Sequence, residues 1–183
     1  METEKLKKDQ IVKTFEKHFK HFGFKKTSVD DIASELKMSK KTIYKFFSSK
    51  EKIFYFVVSK IARKFSNDMA KKLVKYDMQE EKIKQLIYMI FNETRKWLKS
   101  GNDAFEFKYK YEISELAFKE AYNELFMQLI QKGIENSEFS VPNPDLSIRF
   151  INGIMSESIR LISVNPELKV ENEVVNSVVK ILK

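Results

Sequence analysis

The sequence predicts an all-α protein. Its 183 residues contain only four glycines and three prolines, and none of these seven lies between Phe24 and Ser100. Because glycine and proline punctuate most other architectures, long segments without them favour helices. Apolar residues also recur every three or four positions along most of the chain, which is the spacing of one helical face. Together these observations predict about nine helices.

The first two helices are predicted before residue 37. A helix over residues 7–22 has its apolar positions three or four apart, and Gly23 would end it in a left-handed conformation. Thr27 or Ser28 can cap the next helix, with a carboxylate three residues later to meet free backbone N–H groups. The buried face of this short second helix is supplied by Ile32, Ala33 and Leu36.

Two further helices are predicted from their caps and their apolar spacing. Ser39 can cap a third helix over residues 40–47, whose inward residues are Ile43 and either Phe46 or Phe47. Ser48 and Glu51 have the capping-box spacing and would begin a fourth helix. That helix has an apolar residue every fourth position as far as Leu73, which corresponds to roughly 35–40 Å.

The apolar spacing in the rest of the chain predicts five more helices. They cover residues 79–99, 103–112, 113–136, 145–163 and 170–182, with a proline-rich loop before the fourth of them. No internal repeat or low-complexity tract interrupts this pattern. The predicted architecture is therefore helical from end to end.

Composition excludes several functional classes. Cysteine is absent, which rules out disulfides and thiolate metal sites. The sequence has no glycine-rich phosphate loop, no nucleophile elbow and no helical His-Glu-x-x-His pattern, so we expect no enzyme activity, cofactor or bound metal. The first ten residues are charged and no stretch approaches the ~18 apolar residues of a membrane span. We therefore expect a cytoplasmic protein without a membrane partner.

The positive charge is concentrated at the start of the chain. Residues 1–50 hold 13 lysines and 7 acidic residues, an excess of six within a net charge of +8. Such asymmetry is typical of a protein that binds a polyanion. A solvated lysine-rich surface would produce the same asymmetry.

The second and third helices have the spacing of a helix-turn-helix, a unit that places its second helix in the DNA major groove. Residues 39–47 combine a polar face of lysines and hydroxyls with Ile43 and Phe46 behind it. Lysine and hydroxyl side chains can reach phosphates and base edges. Many small helical proteins also have a short basic helix, so periodicity alone leaves both interpretations open.

The residues themselves favour DNA binding. The segments Thr-Ser-Val-Asp-Asp-Ile-Ala at 27–33 and Ser-Lys-Lys-Thr-Ile-Tyr-Lys-Phe-Phe at 39–47, followed by Lys50-Glu51, resemble the signature of the tetracycline-repressor-like (TetR) family. The resemblance covers Gly23–Ile53 in order, spacing and residue type. It implies a three-helix DNA-binding domain with a helix-turn-helix at 1–50, and a C-terminal helical bundle for effector binding and dimerisation at 51–183.

The resemblance also implies roles for individual residues. Thr27, Tyr44 and Lys50 resemble phosphate contacts, and the full set of expected DNA-binding residues is Thr27, Ser28, Ser39, Lys40, Lys41, Thr42, Tyr44, Lys45 and Lys50. The chain departs from the family at Lys37 and Lys41, where glycine is usual. A left-handed conformation would cost roughly 1–2 kcal/mol more for lysine than for glycine. We therefore expect a slightly different turn.

For residues 51–183 the resemblance implies a small-molecule site and a two-fold dimer. Aromatic residues that could line the effector pocket are Trp97, Phe105, Tyr109, Phe118, Tyr122 and Phe126, and their apolar character favours an apolar or aromatic ligand. The two last helices have broad apolar faces. Candidate interface residues there are Ile151, Ile154, Met155, Ser158, Ile159, Ile162, Val174, Val175, Val178 and Val179.

The sequence therefore predicts a homodimeric repressor that binds near-palindromic double-stranded DNA and is released by a small effector. A first alternative is a DNA-binding dimer without an effector. A second is a helical ligand-binding or interaction protein that does not bind DNA. Salt-dependent duplex binding would distinguish the second alternative, since each phosphate contact steepens the salt dependence.

Overall fold

The computed structural model describes residues 2–99 and 104–183, with the side chains of residues 2, 97, 99 and 104–111 outside the description. All regular elements in the described ranges are helices. In chain order they are α1 (Glu2–Lys26), α2 (Val29–Glu35), α3 (Lys40–Phe46), α4 (Lys50–Leu73), α5 (Gln79–Lys99), α6 (Ala104–Glu135), α7 (Pro144–Val164) and α8 (Glu171–Leu182). Among them, no helix combines the length and the hydropathy that a membrane crossing would require.

The break predicted at Gly23 is confirmed. Gly23 has φ 76° and ψ 171°, a region that only glycine adopts readily, and it interrupts the helical path of α1. Helical residues resume after it, so α1 ends at Lys26 rather than at residue 22. The Thr27 side-chain hydroxyl then donates to the Gly23 carbonyl oxygen at 2.8 Å, which fixes the approach to α2.

Side-chain caps begin the short helices, mostly as predicted. The Ser28 hydroxyl oxygen accepts from the Asp31 backbone N–H at 3.0 Å, and Ser39 accepts from the Thr42 backbone N–H at the same distance. The prediction for α4 was wrong by one residue. Ser49, and not Ser48, accepts from the Lys52 backbone N–H at 3.2 Å.

The chain divides into two compact units, and the first comprises Met1–Arg63 with Asp103–Phe118. Its core is built from large apolar side chains of α1 to α4, each of which contributes about 1.5–3 kcal/mol by its burial. Glu35, at the end of α2, accepts from Lys17 and lies 2.7 Å from the Nε2 atom of His18, both on α1. These two hydrogen bonds keep the pKa of Glu35 below its usual value. They attach the end of α2 to α1.

The second unit comprises Lys64–Asn102 with Lys119–Lys183. In it α5, α7 and α8 pack against one another around a continuous apolar core. Arg95 on α5 fixes the connection between α7 and α8. Its guanidinium donates to the Glu171 carboxylate at 2.7 Å and to the backbone carbonyl oxygens of Pro166 and Leu168.

Helix α6 is longer than predicted. The two helices expected over 103–112 and 113–136 form one helix, Ala104–Glu135. No glycine or proline occurs between residues 104 and 132, so the change in side-chain pattern near residue 112 did not mark a backbone break.

The end of α6 is a Schellman motif. The Glu138 N–H donates to the Gly133 carbonyl oxygen and the Ser137 N–H to that of Ile134, while Ser137 adopts a left-handed φ of 61°. Two neighbours fix this turn. The Phe139 ring lies directly over Gly133, and the Glu138 carboxylate accepts from the backbone N–H of Gln79 at 2.7 Å, at the start of α5.

Candidate nucleic-acid interface

The connection between α2 and α3 is set by a second Schellman motif. The Met38 N–H donates to the Ala33 carbonyl oxygen at 2.9 Å, and the Lys37 N–H donates to that of Ser34 at 3.1 Å. Lys37 has a φ of 52°, the left-handed conformation that glycine usually provides. The turn therefore keeps the hydrogen bonds of the motif and accepts the strain of a lysine, contrary to the expectation of an altered turn.

Helix α3 is anchored on one side and open on the other. Ile43 and Phe47 are buried in the core of the first unit, which resolves the predicted choice between Phe46 and Phe47. On the outer face Lys41 and Lys45 are exposed, and Tyr44 retains 42% of its side-chain exposure. The Tyr44 ring is therefore not buried. Its phenol is available to a partner beside two lysines.

Most other polar groups near α3 form hydrogen bonds with one another. The Ser39 and Thr42 hydroxyls lie 2.8 Å apart and share a hydrogen bond. The Lys40 ammonium donates to the Asp30 carboxylate at 2.8 Å, which links the start of α3 to the first turn of α2. These contacts order the face around α3 before any partner binds.

Lys50 lies at the start of α4, beside the end of α1. Its ammonium is 3.4 Å from the carbonyl oxygen of Lys25 and 4.3 Å from the centre of the Phe24 ring. A cation held in this position on a partly exposed side chain is suited to a phosphate contact.

Thr27 and Ser28 differ from the other predicted contacts. Thr27 is fully buried, and its hydroxyl and its backbone N–H both donate to Gly23. A phosphate contact from the Thr27 side chain does not fit this arrangement, because no part of that side chain reaches solvent. The Ser28 hydroxyl donates to the Asp31 carboxylate and accepts from the Asp31 N–H, so it acts first as a helix cap.

A comparison with protein families identifies this domain. Residues 11–55 match the family described as bacterial regulatory proteins, tetR family. The helix-turn-helix region of this chain therefore matches the DNA-binding domain of the tetR family. The matched range contains α2, the left-handed turn, α3 and the start of α4, so the geometry described above is that of a tetR-type helix-turn-helix. The chain is a DNA-binding transcriptional regulator.

Solved structures show a likeness in fold over nearly the whole length of the chain. The transcriptional repressor QsdR of R. erythropolis has a TM-score of 0.73 at 9% identity, covering 97% of this chain and 95% of its own. RolR in complex with resorcinol has a TM-score of 0.72 at 11% identity, with 99% and 89% covered. FadR of Bacillus subtilis in complex with stearoyl-CoA has a TM-score of 0.55 at 18% identity, with 95% and 98% covered. At these identities the likeness establishes the fold.

No curated protein matches the chain as a sequence relative.

The predicted effector residues whose side chains are described pack against two different apolar cores. Phe118 packs against the core of the first unit, whereas Tyr122 and Phe126 belong to the second. Burial and the nearby Glu93 carboxylate raise the pKa of the Tyr122 phenol, so that it stays protonated. The remaining candidates lie outside the described side chains. They are Trp97, Phe105 and Tyr109.

The predicted dimer residues require a correction. Seven of the ten are buried in the core of their own unit, because the apolar face of α7 and the valines of α8 pack on α5. They are Ile151, Met155, Ser158, Ile162, Val174, Val175 and Val178. Ile154, Ile159 and Val179 are half-buried. The predicted face is therefore largely intramolecular.

A different apolar face of α7 is exposed. Leu146, Phe150, Leu161 and Val164 lie along one side of this helix, and Phe150 and Val164 are 55% and 79% exposed. Gly153 lies on the same side, and no atom is within 4 Å of the position its Cβ would occupy. We name these four apolar residues the α7 outer face. Phe150 lies on the same helical side as Gly153. This spacing is the sequence signal that could have located the α7 outer face.

Proposed function

We propose that this protein is a homodimeric repressor of transcription in the cytoplasm that a small effector releases from a near-palindromic operator. Residues 1–50 bind DNA, and residues 51–183 bind the effector and the second protomer. Two α3 helices enter successive major grooves about one helical turn, or ~34–36 Å, apart. The observation that supports this most is the anchored, outward-facing α3 with Lys41, Tyr44 and Lys45 exposed.

The local charge favours DNA over other partners. Thirteen lysines against seven acidic residues in positions 1–50 provide a positive surface around α3. Phosphate contacts from lysines supply most of the sequence-independent affinity for duplex DNA. We assign phosphate contacts to Lys50 and Tyr44, and groove contacts to Ser39, Lys40 and Thr42.

The α7 outer face supports the proposed dimer. Monomeric proteins seldom leave several large apolar side chains exposed on one side of a helix. A two-fold axis would place this face against the same face of the second protomer, which removes these side chains from water. We therefore assign the dimer contact to Leu146, Phe150, Leu161 and Val164 in place of the predicted buried residues.

An effector site in the second unit is supported by polar groups within its interior. The Tyr122 phenol is partly buried close to Glu93, and the Asn123 side-chain oxygen is buried without a hydrogen-bond partner among the described residues. Buried polar atoms of this kind usually have a partner. A mainly apolar or aromatic ligand with one polar group would suit the Asn123 oxygen, and the structural relatives above hold resorcinol and stearoyl-CoA. Release from DNA requires that the effector favour one of two conformations.

The DNA-binding proposal is tested by the variant Tyr44→Ala/Lys50→Ala. Binding is measured on duplexes selected by the wild-type protein, at several salt concentrations. We expect at least about a tenfold loss of affinity and a salt slope smaller by roughly two for the dimer, one phosphate contact per protomer. Lys75→Ala is the matched control, since it removes the same charge from an exposed position of the second unit.

Unchanged affinity and an unchanged slope in the double variant would show that these residues are not the DNA contacts. Absence of salt-dependent binding to any duplex by the wild-type protein would favour the alternative function, a helical ligand-binding or interaction protein.

The dimer is tested by Phe150→Asp/Leu161→Asp, measured by sedimentation. We expect monomers at concentrations where the wild-type protein is dimeric, because two carboxylates per protomer would be buried unpaired. Val74→Asp/Met78→Asp places the same charges at two other exposed apolar residues of the second unit and should remain dimeric. Equal dissociation of both variants would contradict the assignment.

A further inference from the structure

One lysine of α3 differs from the others in its surroundings. The Lys40 ammonium donates to the Asp30 carboxylate at 2.8 Å, and these side chains are 50% and 66% exposed. The hydrogen bond raises the pKa of Lys40. Lys40 is the first residue of α3, and Asp30 lies in the first turn of α2. The pair therefore joins the two helices of the helix-turn-helix at the end of α3 that faces the bases in such units.

Lys41 and Lys45 have no such restraint. Both are exposed, and neither has a carboxylate partner among the described residues. Their flexible stems leave the ammonium groups free to follow the phosphate backbone. The three lysines of α3 thus fall into one that is paired with a carboxylate and two that are not, among the described residues.

A held lysine is suited to a base edge. An ammonium has three donors, so one can remain on Asp30 while the others meet acceptors of a base. The Asp30 carboxylate also repels phosphates, which directs Lys40 away from the backbone. In the major groove, guanine offers two adjacent acceptors, O6 and N7, to one lysine. The first arginine of the chain is Arg63, so no arginine of the helix-turn-helix competes for that role.

We propose that Asp30 is a positioning residue that holds Lys40 against the O6/N7 edge of a guanine in each operator half-site, while Lys41 and Lys45 neutralise phosphates. This inference rests on the proposed DNA-binding function. Asp30 thereby sets base preference at one symmetric pair of positions and restrains binding to unrelated DNA.

The test compares base preferences of the wild-type protein with those of Asp30→Asn and Asp30→Glu. Each protein selects bound duplexes from a randomised pool, and its affinities for single-base variants of the selected site and for an unrelated duplex are then measured. For Asp30→Asn we expect the guanine preference at one symmetric pair of positions to fall about fivefold or more. Affinity for unrelated duplex should rise about two- to fivefold, with a steeper salt slope, as Lys40 moves to phosphates.

Asp30→Glu should retain the guanine preference of the wild-type protein, since it keeps a carboxylate within reach of Lys40. Lys41→Gln is the control, and it should weaken binding to all duplexes alike without changing any base preference. In a Lys40→Gln background the Asp30→Asn change should no longer alter the base preference, whereas in a Lys41→Gln background it should.

This inference would be overturned if Asp30→Asn left the base preferences unchanged. It would also be overturned if Asp30→Asn reduced the guanine preference equally in the Lys40→Gln background. Either result would leave the DNA-binding proposal intact. A wild-type protein that selects no common sequence from the pool would overturn both.

Discussion

The turns that follow α2 and α6 have the same backbone design in different surroundings. Each ends its helix with a Schellman motif, and each places a residue other than glycine in the left-handed position, Lys37 after α2 and Ser137 after α6. After α6 the turn is supported by two tertiary contacts, Phe139 over Gly133 and Glu138 on the start of α5. Both left-handed residues are exposed, but the one after α2 carries a charge.

The difference separates two ways of keeping a strained residue in place. Around Ser137, tertiary contacts on both sides determine the turn. Around Lys37 the motif's own hydrogen bonds and the half-buried Met38 provide most of the restraint, so the turn leaves its outer side open beside α3. We conclude that the first unit accepts local strain where a partner must approach, and the second supports it with tertiary contacts.

The largest expected effect comes from Gly133→Ala. A Cβ at this position would overlap the ring of Phe139, which is buried and cannot move without disturbing the core. Overpacking of this kind destabilises a protein by about 1–3 kcal/mol, and we expect the upper part of that range in chemical denaturation.

Gly153→Ala on α7 is its matched control. Its added methyl group meets no atom of the protomer within 4 Å, and alanine is the better helix former. Equal destabilisation by both substitutions would show that the Phe139 contact does not restrict the turn.

A smaller loss is expected from Glu138→Ala. The carboxylate accepts from the backbone N–H groups of Gln79 at 2.7 Å and Glu80 at 3.2 Å, so its removal leaves the start of α5 without its cap. Loss of a capping side chain costs about 0.5–2 kcal/mol. Glu135→Ala, which removes an exposed carboxylate one turn earlier, should change the free energy of unfolding little. The proposed cap is contradicted if the two variants unfold together.

The smallest effect, and one of opposite sign, is expected from Lys37→Gly. Glycine relieves the left-handed strain, so Lys37→Gly should be more stable than Lys37→Ala by about 1 kcal/mol. Both variants lose the same charge, and their DNA affinities should therefore agree. The difference in melting temperature should be about 2–4 °C for a chain of this size. An alanine variant as stable as the glycine variant would mean that the turn relaxes out of its left-handed conformation.

Local features were well predicted from the sequence. Helix caps at Ser28 and Ser39, the break at Gly23 and the family of residues 11–55 all depend on residues close together in the chain. Such features follow from backbone hydrogen bonding and from the conformational range of single residues. Caps can still shift by one position, as Ser49 demonstrates, because adjacent serines offer the same chemistry.

Features that depend on tertiary packing were not predictable. The apolar face of α7 around Ile151 could have met a second protomer or α5, and periodicity does not distinguish the two. The burial of Thr27 depends on how α1 ends beyond Gly23. The pair between Lys40 and Asp30 joins residues ten positions apart on different helices, and no spacing rule predicts it.

Helix α8 is fastened at both of its ends. Arg95 holds Glu171 at its start, and the Lys183 ammonium pairs with the Glu80 carboxylate at 2.8 Å beyond its last turn. Hydrogen exchange in a helix normally advances from frayed ends. With both ends tied to α5, the amide hydrogens of α8 should instead exchange at similar rates, through opening of the whole helix in a single event.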